Sequence, residues 1–130
     1  MPSQALLDRF IARVEAGAFV EAMEEFYAAD ASMQENDQAP RAGLPNLIAH
    51  ERQSLSRTRS VTARCVRPAF VDGEHAVIRW VFDFEGHDGT RVRLDELAYQ
   101  RWQGDRIASE KFFYDPAQMK PAARTAAARP

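Results

Sequence analysis

Arg91-Val-Arg-Leu-Asp-Glu-Leu-Ala-Tyr-Gln-Arg-Trp102 is the stretch whose two faces decide how this chain is read. A β-strand sends alternate side chains to opposite sides. One side carries Val92, Leu94, Glu96, Ala98, Gln100 and Trp102; the other carries Arg91, Arg93, Asp95, Leu97, Tyr99 and Arg101. The first side is the more apolar and is expected to face the interior, taking Glu96 and Gln100 inside with it. A buried carboxyl without a partner is costly, so it must be hydrogen-bonded, neutralised or set beside a cavity.

The flanking segments extend the sheet. His75 to Phe84 alternates, with Ala76, Ile78, Trp80, Phe82 and Phe84 on one side. Val61 to Val71 precedes it across Asp72-Gly73, a strong hairpin signal. Gly86-His-Asp-Gly89 connects to the 91–102 strand, and Gln103-Gly-Asp105 turns the chain into a last strand from Ile107 to Tyr114. These connections predict a four-stranded antiparallel meander. With a three-residue turn at 103–105, Trp102 pairs with Arg106, Ala98 lies opposite Glu110, and Glu96 opposite Phe112. Glu96, Gln100, Glu110 and Tyr114 then share one inner face, a relation that a two-residue turn reverses.

Upstream the period becomes helical. Leu6, Leu7, Phe10, Ile11 and Val14 form one stripe, with Ser3 placed to cap it and Gly17 to end it. Phe19, Met23, Phe26 and Tyr27 form a second stripe. Ala31 to Asn36 reads as a short strand, and Asp37 to Gly43 as a loop. Pro45 suits the first turn of a third helix carrying Leu44, Leu47, Ile48, Glu51 and Leu55. The expectation is one α+β domain over 1–119, with a disordered tail over 120–130, where no apolar residue exceeds alanine.

The bulk properties narrow the function. The chain has 130 residues, 45% of them apolar and 28% charged, with a formal net charge of −2. Such a charge gives no footprint for nucleic acid. No run approaches the ~18 apolar residues of a membrane helix, and no signal peptide opens the chain, so a cytoplasmic protein is expected. Cys65 is the only cysteine, which rules out an internal disulfide. His50-Glu51 begins like a zinc motif, but position 54 is serine, and His75 and His87 have no paired spacing; no metal site is expected.

Two carboxyls in one apolar pocket separate in pKa, and one is raised, the usual preparation for acid–base chemistry near neutral pH. The alternative is that Glu96 and Glu110 bind helix ends or arginines. Gln34, Glu35 and Asn36 lie where a strand delivers polar groups to a cavity mouth or merely enters a turn.

The order of elements resembles the nuclear transport factor 2-like superfamily, and within it the SnoaL-like branch, relatives of polyketide cyclases and ketosteroid isomerases. The stretches that carry the resemblance are Phe26-Tyr-Ala-Ala-Asp-Ala-Ser-Met-Gln-Glu-Asn36, Leu94-Asp-Glu-Leu-Ala-Tyr-Gln-Arg-Trp102, Gly104-Asp-Arg-Ile107 and Glu110-Lys-Phe-Phe-Tyr-Asp-Pro116. The resemblance implies a cone-shaped curved antiparallel sheet wrapped around three helices and enclosing a pocket. It implies homodimers through the outer sheet face, with Leu97, Tyr99 and Phe113 supplying apolar contact. The isomerases' general-base aspartate falls on Gln34, with Glu35 beside it. The cyclases' last-strand aspartate falls near Phe112, with Glu110 two residues earlier on the same face.

The function expected is binding of a small apolar, carbonyl-bearing molecule, with Glu110 as general acid or base and Glu96 as its electrostatic partner. Gln34, Asn36, Gln100, Trp102, Phe112 and Tyr114 would contact the substrate, and no metal or organic cofactor is required. The alternative is a non-catalytic ligand-binding or dimerisation module of the same fold. A third reading, a protein-binding groove, leaves no mark in the sequence.

Overall fold

Ser3 caps the first helix as its position suggests: its Oγ accepts the Leu6 N–H at 3.0 Å. The helix ends at Gly17, whose φ of +82° suits a residue without Cβ. The computed structural model describes residues 2–120. In chain order these form α1 (Gln4–Glu15), α2 (Phe19–Phe26), β1 (Tyr27–Glu35), β2 (Arg41–Ala42), α3 (Leu44–Ser56), β3 (Thr58–Asp72), β4 (His75–Gly86), β5 (Arg91–Gln103), β6 (Arg106–Phe113) and a 3-10 turn at Pro116–Met119. All but Lys120 of the tail expected over 120–130 lies outside the described residues.

Among the described residues the strands form one curved, unclosed sheet in the order β2-β1-β6-β5-β4-β3. The predicted meander is present, since β3, β4, β5 and β6 pair as antiparallel neighbours. The sheet also gains a part the spacing did not foresee. β1 runs from Tyr27 to Glu35, longer than the expected strand, and joins β6 in parallel, with Met33 beside Glu110 and Glu35 beside Phe112. The helices cover the inner face. Leu7, Phe10 and Ile11 of α1, Phe26 of α2 and Leu47 of α3 meet Ile78, Trp102 and Ile107 of the sheet in one core. The Phe10 ring meets Phe26 and Trp102 edge-on, with centroids 5.5 and 6.3 Å apart.

The β5–β6 hairpin decides which way Glu110 points, and it differs from the expected register. Gln103 pairs with Arg106, so the turn has two residues, with Gly104 at φ +61°. Alone, that turn would send Glu110 outward. A bulge between Arg101 and Trp102 offsets it: Trp102 pairs with Ile107 but Arg101 with Ser109, which leaves Ala108 extra. Beyond the bulge Gln100 lies opposite Glu110 and Ala98 opposite Phe112. The pairing is shifted by two residues from the expectation, and the facing is the same.

Candidate active site

A cavity of about 450 Å3 lies between the helices and the sheet. Trp80, Phe82 and Phe84 of β4 build one wall, with Trp80 and Phe82 centroids 5.8 Å apart and those of Phe82 and Phe84 6.0 Å apart. Val92 and Leu94 of β5 continue it, and Phe10, Met23, Leu47 and Leu55 close it from the helices. Four carboxyl groups break this apolar lining: Glu35, Glu51, Glu96 and Glu110.

Glu110 is buried, with 3% of its surface exposed, and both its oxygens are held. Tyr27 donates its hydroxyl hydrogen to Oε1, and Gln100 Nε2 donates to Oε2 at 2.7 Å. The orientation of Gln100 is fixed in turn. Trp102 Nε1–H donates to its Oε1 at 3.0 Å, so the amide NH2 must face Glu110. Burial pushes the Glu110 carboxyl up to about 7, against the lowering effect of the two donors. Burial and the neighbouring Glu110 push the Tyr27 hydroxyl well above its usual range, so it stays a donor.

Glu96 is in the opposite situation. It is 6% exposed, faces the cavity, and has no hydrogen-bond partner among the described residues. Burial, then the Glu110, Glu35 and Glu51 carboxyls, push it up to about 8. It is therefore mostly protonated at neutral pH, with a free O–H donor and a free acceptor directed at the cavity. Burial also raises Glu51 on α3, despite Arg41 nearby. Glu35 differs again: burial opposes its ionisation, but hydrogen bonds from Tyr114 and Arg41 hold it below the usual range.

Of the residues expected to contact substrate, Phe112 and Tyr114 line the cavity together with Glu96 and Glu110. Gln100 and Trp102 do not; both are fully enclosed behind Glu110 and orient it instead. Gln34 and Asn36 also miss the cavity. Met33 and Glu35 line it, so Gln34 falls on the other face of β1 and donates to the Gln38 carbonyl. Asn36, at φ +50°, accepts the Tyr114 N–H. Tyr27 was missed because it extends the helical stripe of Phe19, Met23 and Phe26, yet the helix stops at Phe26 and Tyr27 starts β1. Arg106 fixes that junction by donating to the Glu24 and Tyr27 carbonyls.

The Trp102–Gln100–Glu110 chain gives a direct prediction. Trp102→Phe is expected to cost roughly 1–3 kcal/mol, because a buried amide oxygen loses its donor. The freed Gln100 amide should also raise the Glu110 pKa further. Urea denaturation and carboxyl titration read the two effects. A Glu110 pKa unchanged in this variant would show that the chain does not position it.

The described residues contain no cluster of three His, Cys, Asp or Glu side chains suited to a metal ion. None of their helices is long and apolar enough to cross a membrane. The profile of the SnoaL-like domain family matches residues 7–110. A candidate SnoaL-like polyketide cyclase from Mesorhizobium loti is 20% identical, with a TM-score of 0.74 over 88% of this chain and 100% of that one. A protein of ketosteroid isomerase-like fold from Catenulispora acidiphila, solved in complex with trimethylamine, is 17% identical. It has a TM-score of 0.75 over 90% of each chain. An LEH-like epoxide hydrolase from M. tuberculosis is 12% identical, with a TM-score of 0.72 over 88% of this chain and 79% of that one. No curated protein matches the chain. At these identities the structural relatives establish the fold and leave the reaction open.

Proposed function

The chain belongs to the SnoaL-like domain family, and from that premise we propose that it binds a small, largely apolar, carbonyl-bearing molecule and acts on it by proton transfer. Glu110 is the acid–base group and Glu96 sets the electrostatic field around it. The observation that carries this reading is the pair of carboxyls, one fully hydrogen-bonded and one unpartnered, in one apolar hollow. Because Glu110 accepts from both Tyr27 and Gln100, its anionic form is stabilised and its role is that of a base. A base poised near pH 7 can take a proton from carbon beside a carbonyl and return it elsewhere, the step shared by isomerase, cyclase and hydratase chemistry. Two carboxyls suffice for this step without a cofactor.

A second reading, a non-catalytic binding module, draws on the same hydrogen bonds: a carboxyl with both oxygens occupied can be a structural group. Native mass spectrometry of the purified protein should reveal a bound molecule small enough for the cavity. Turnover of that molecule, with its loss in Glu110→Gln, distinguishes the two readings.

Pairing of two copies through the outer sheet face is part of the same proposal. Leu97 and Phe113 lie side by side there, 46% and 45% exposed, next to Tyr99 at 44%. Leu97→Glu should then convert a dimer to a monomer in sedimentation. A wild-type protein already monomeric at micromolar concentration would remove this part.

A further inference from the structure

We propose that the molecule held in the cavity is an organic cation, a compound with an ammonium group, seated against Glu96 and the Trp80–Phe82 wall. This rests on the reading of the cavity as a ligand site and adds the class of ligand.

The charges around the hollow are unbalanced. Glu35 and Arg41, from β1 and β2, meet at 3.0 Å and offset one another. That leaves Glu51 from α3, Glu96 from β5 and Glu110 from β6. Against them stand His50, also on α3, and Arg57, an exposed residue at the helix end. Tyr27 and Tyr114 complete the titratable groups that face Glu96, and both carry hydrogen bonds to other carboxylates, to Glu110 and Glu35. Among the described residues Glu51 and Glu96 both face the cavity without a hydrogen bond, and of the two Glu96 is the buried one, at 6% exposed.

A neutral apolar ligand would desolvate three carboxyls further and hold them in their protonated forms. An ammonium group does the reverse. Its charge favours the ionised form of each carboxyl within a few ångströms. Trp80, the cross-strand neighbour of Glu96, and Phe82 beside it add aromatic surface of the kind that holds quaternary nitrogen. Binding must then displace protons from the carboxyls, since their pKa values fall when the cation arrives.

Two water-soluble probes of equal shape separate charge from size: choline, and 3,3-dimethylbutan-1-ol, in which carbon replaces the nitrogen. Titrated into the protein and followed by backbone amide shifts, choline should bind about tenfold more tightly at about pH 8, with the preference shrinking towards about pH 5 as the carboxyls take up protons. Calorimetry in two buffers of different ionisation enthalpy should show proton release on choline binding. Glu96→Gln should bring the two probes within about threefold of one another, through a weakening of choline. Glu51→Gln gives a second, weaker loss of preference if the first variant does not fold. Equal or tighter binding of the alcohol would overturn the cation and leave an apolar ligand site standing. Binding of neither probe at millimolar concentration would overturn both.

Discussion

Glu96→Gln is expected to raise the thermal midpoint at about pH 8 by on the order of 10 °C and to leave it unchanged at about pH 4. Folding moves the Glu96 pKa from an ordinary 4.5 to about 8. A carboxyl raised in this way contributes fully to stability below its unfolded pKa. That contribution is lost as pH climbs from 4.5 towards 8, because the unfolded chain releases the proton and the folded one must keep it. The loss approaches about 1.4 kcal/mol per pH unit, or roughly 4 kcal/mol by about pH 8. Glutamine stays neutral throughout and so keeps the stability that glutamate loses. Groups with lowered pKa values, such as Glu35, Asp83 and Asp95, act in the opposite sense at lower pH and cancel between variant and parent. Circular dichroism melts across the range check this. A gain that does not vary with pH would mean that folding leaves the Glu96 pKa unshifted, and a loss at about pH 8 that Glu96 is ionised and paired.

Glu110→Gln is expected to lower kcat on the bound compound by roughly 10²- to 10⁴-fold, the usual range for removing a general base. The side chain keeps its size, its amide oxygen can accept from Gln100 and its NH2 can donate to the Tyr27 oxygen, so the fold and KM should change little. In the parent, kcat/KM should rise with pH and level off above about 7, where Glu110 becomes ionised. The variant should lose that limb. Full turnover in Glu110→Gln would reduce Glu110 to a structural acceptor and favour the non-catalytic reading.

Much of the fold was legible because its signals are periodic. The 91–102 strand showed its inner face through Val92, Leu94, Ala98 and Trp102, and all but Val92 are buried. The helices followed from spacing, and the ends of α1 from Ser3 and Gly17. The parallel pairing of β1 with β6 was not legible, since nothing local to Tyr27–Glu35 names a partner some 80 residues away. The turn count was misread and the facing of Glu110 was not. Gln103 looks like a turn residue yet pairs with Arg106, and the Ala108 bulge restores the parity.

The candidate site was half legible. Glu96 and Glu110 stand out as acids on apolar faces, which is a sequence signal. Their hydrogen-bond partners depend on tertiary position, and so Gln100 and Trp102 were taken for cavity walls when they stand behind Glu110. Tyr27 was hidden in a helical stripe because a tyrosine at a helix end and one at a strand start look alike in sequence. Glu51 was noted as a helical-stripe position and as part of an incomplete zinc motif, neither of which places it at the cavity. Its place beside the cavity follows from how α3 crosses the sheet.

The central claim is that two glutamates share a greasy hollow and hold their protons to near-neutral pH. Carbon-detected NMR titration of the glutamate side chains tests it most directly. Two carboxyls titrating near 7 and 8, assigned to Glu110 and Glu96 by their glutamine variants, is the predicted result. Both titrating at about 4.3, like glutamates in open water, would contradict it.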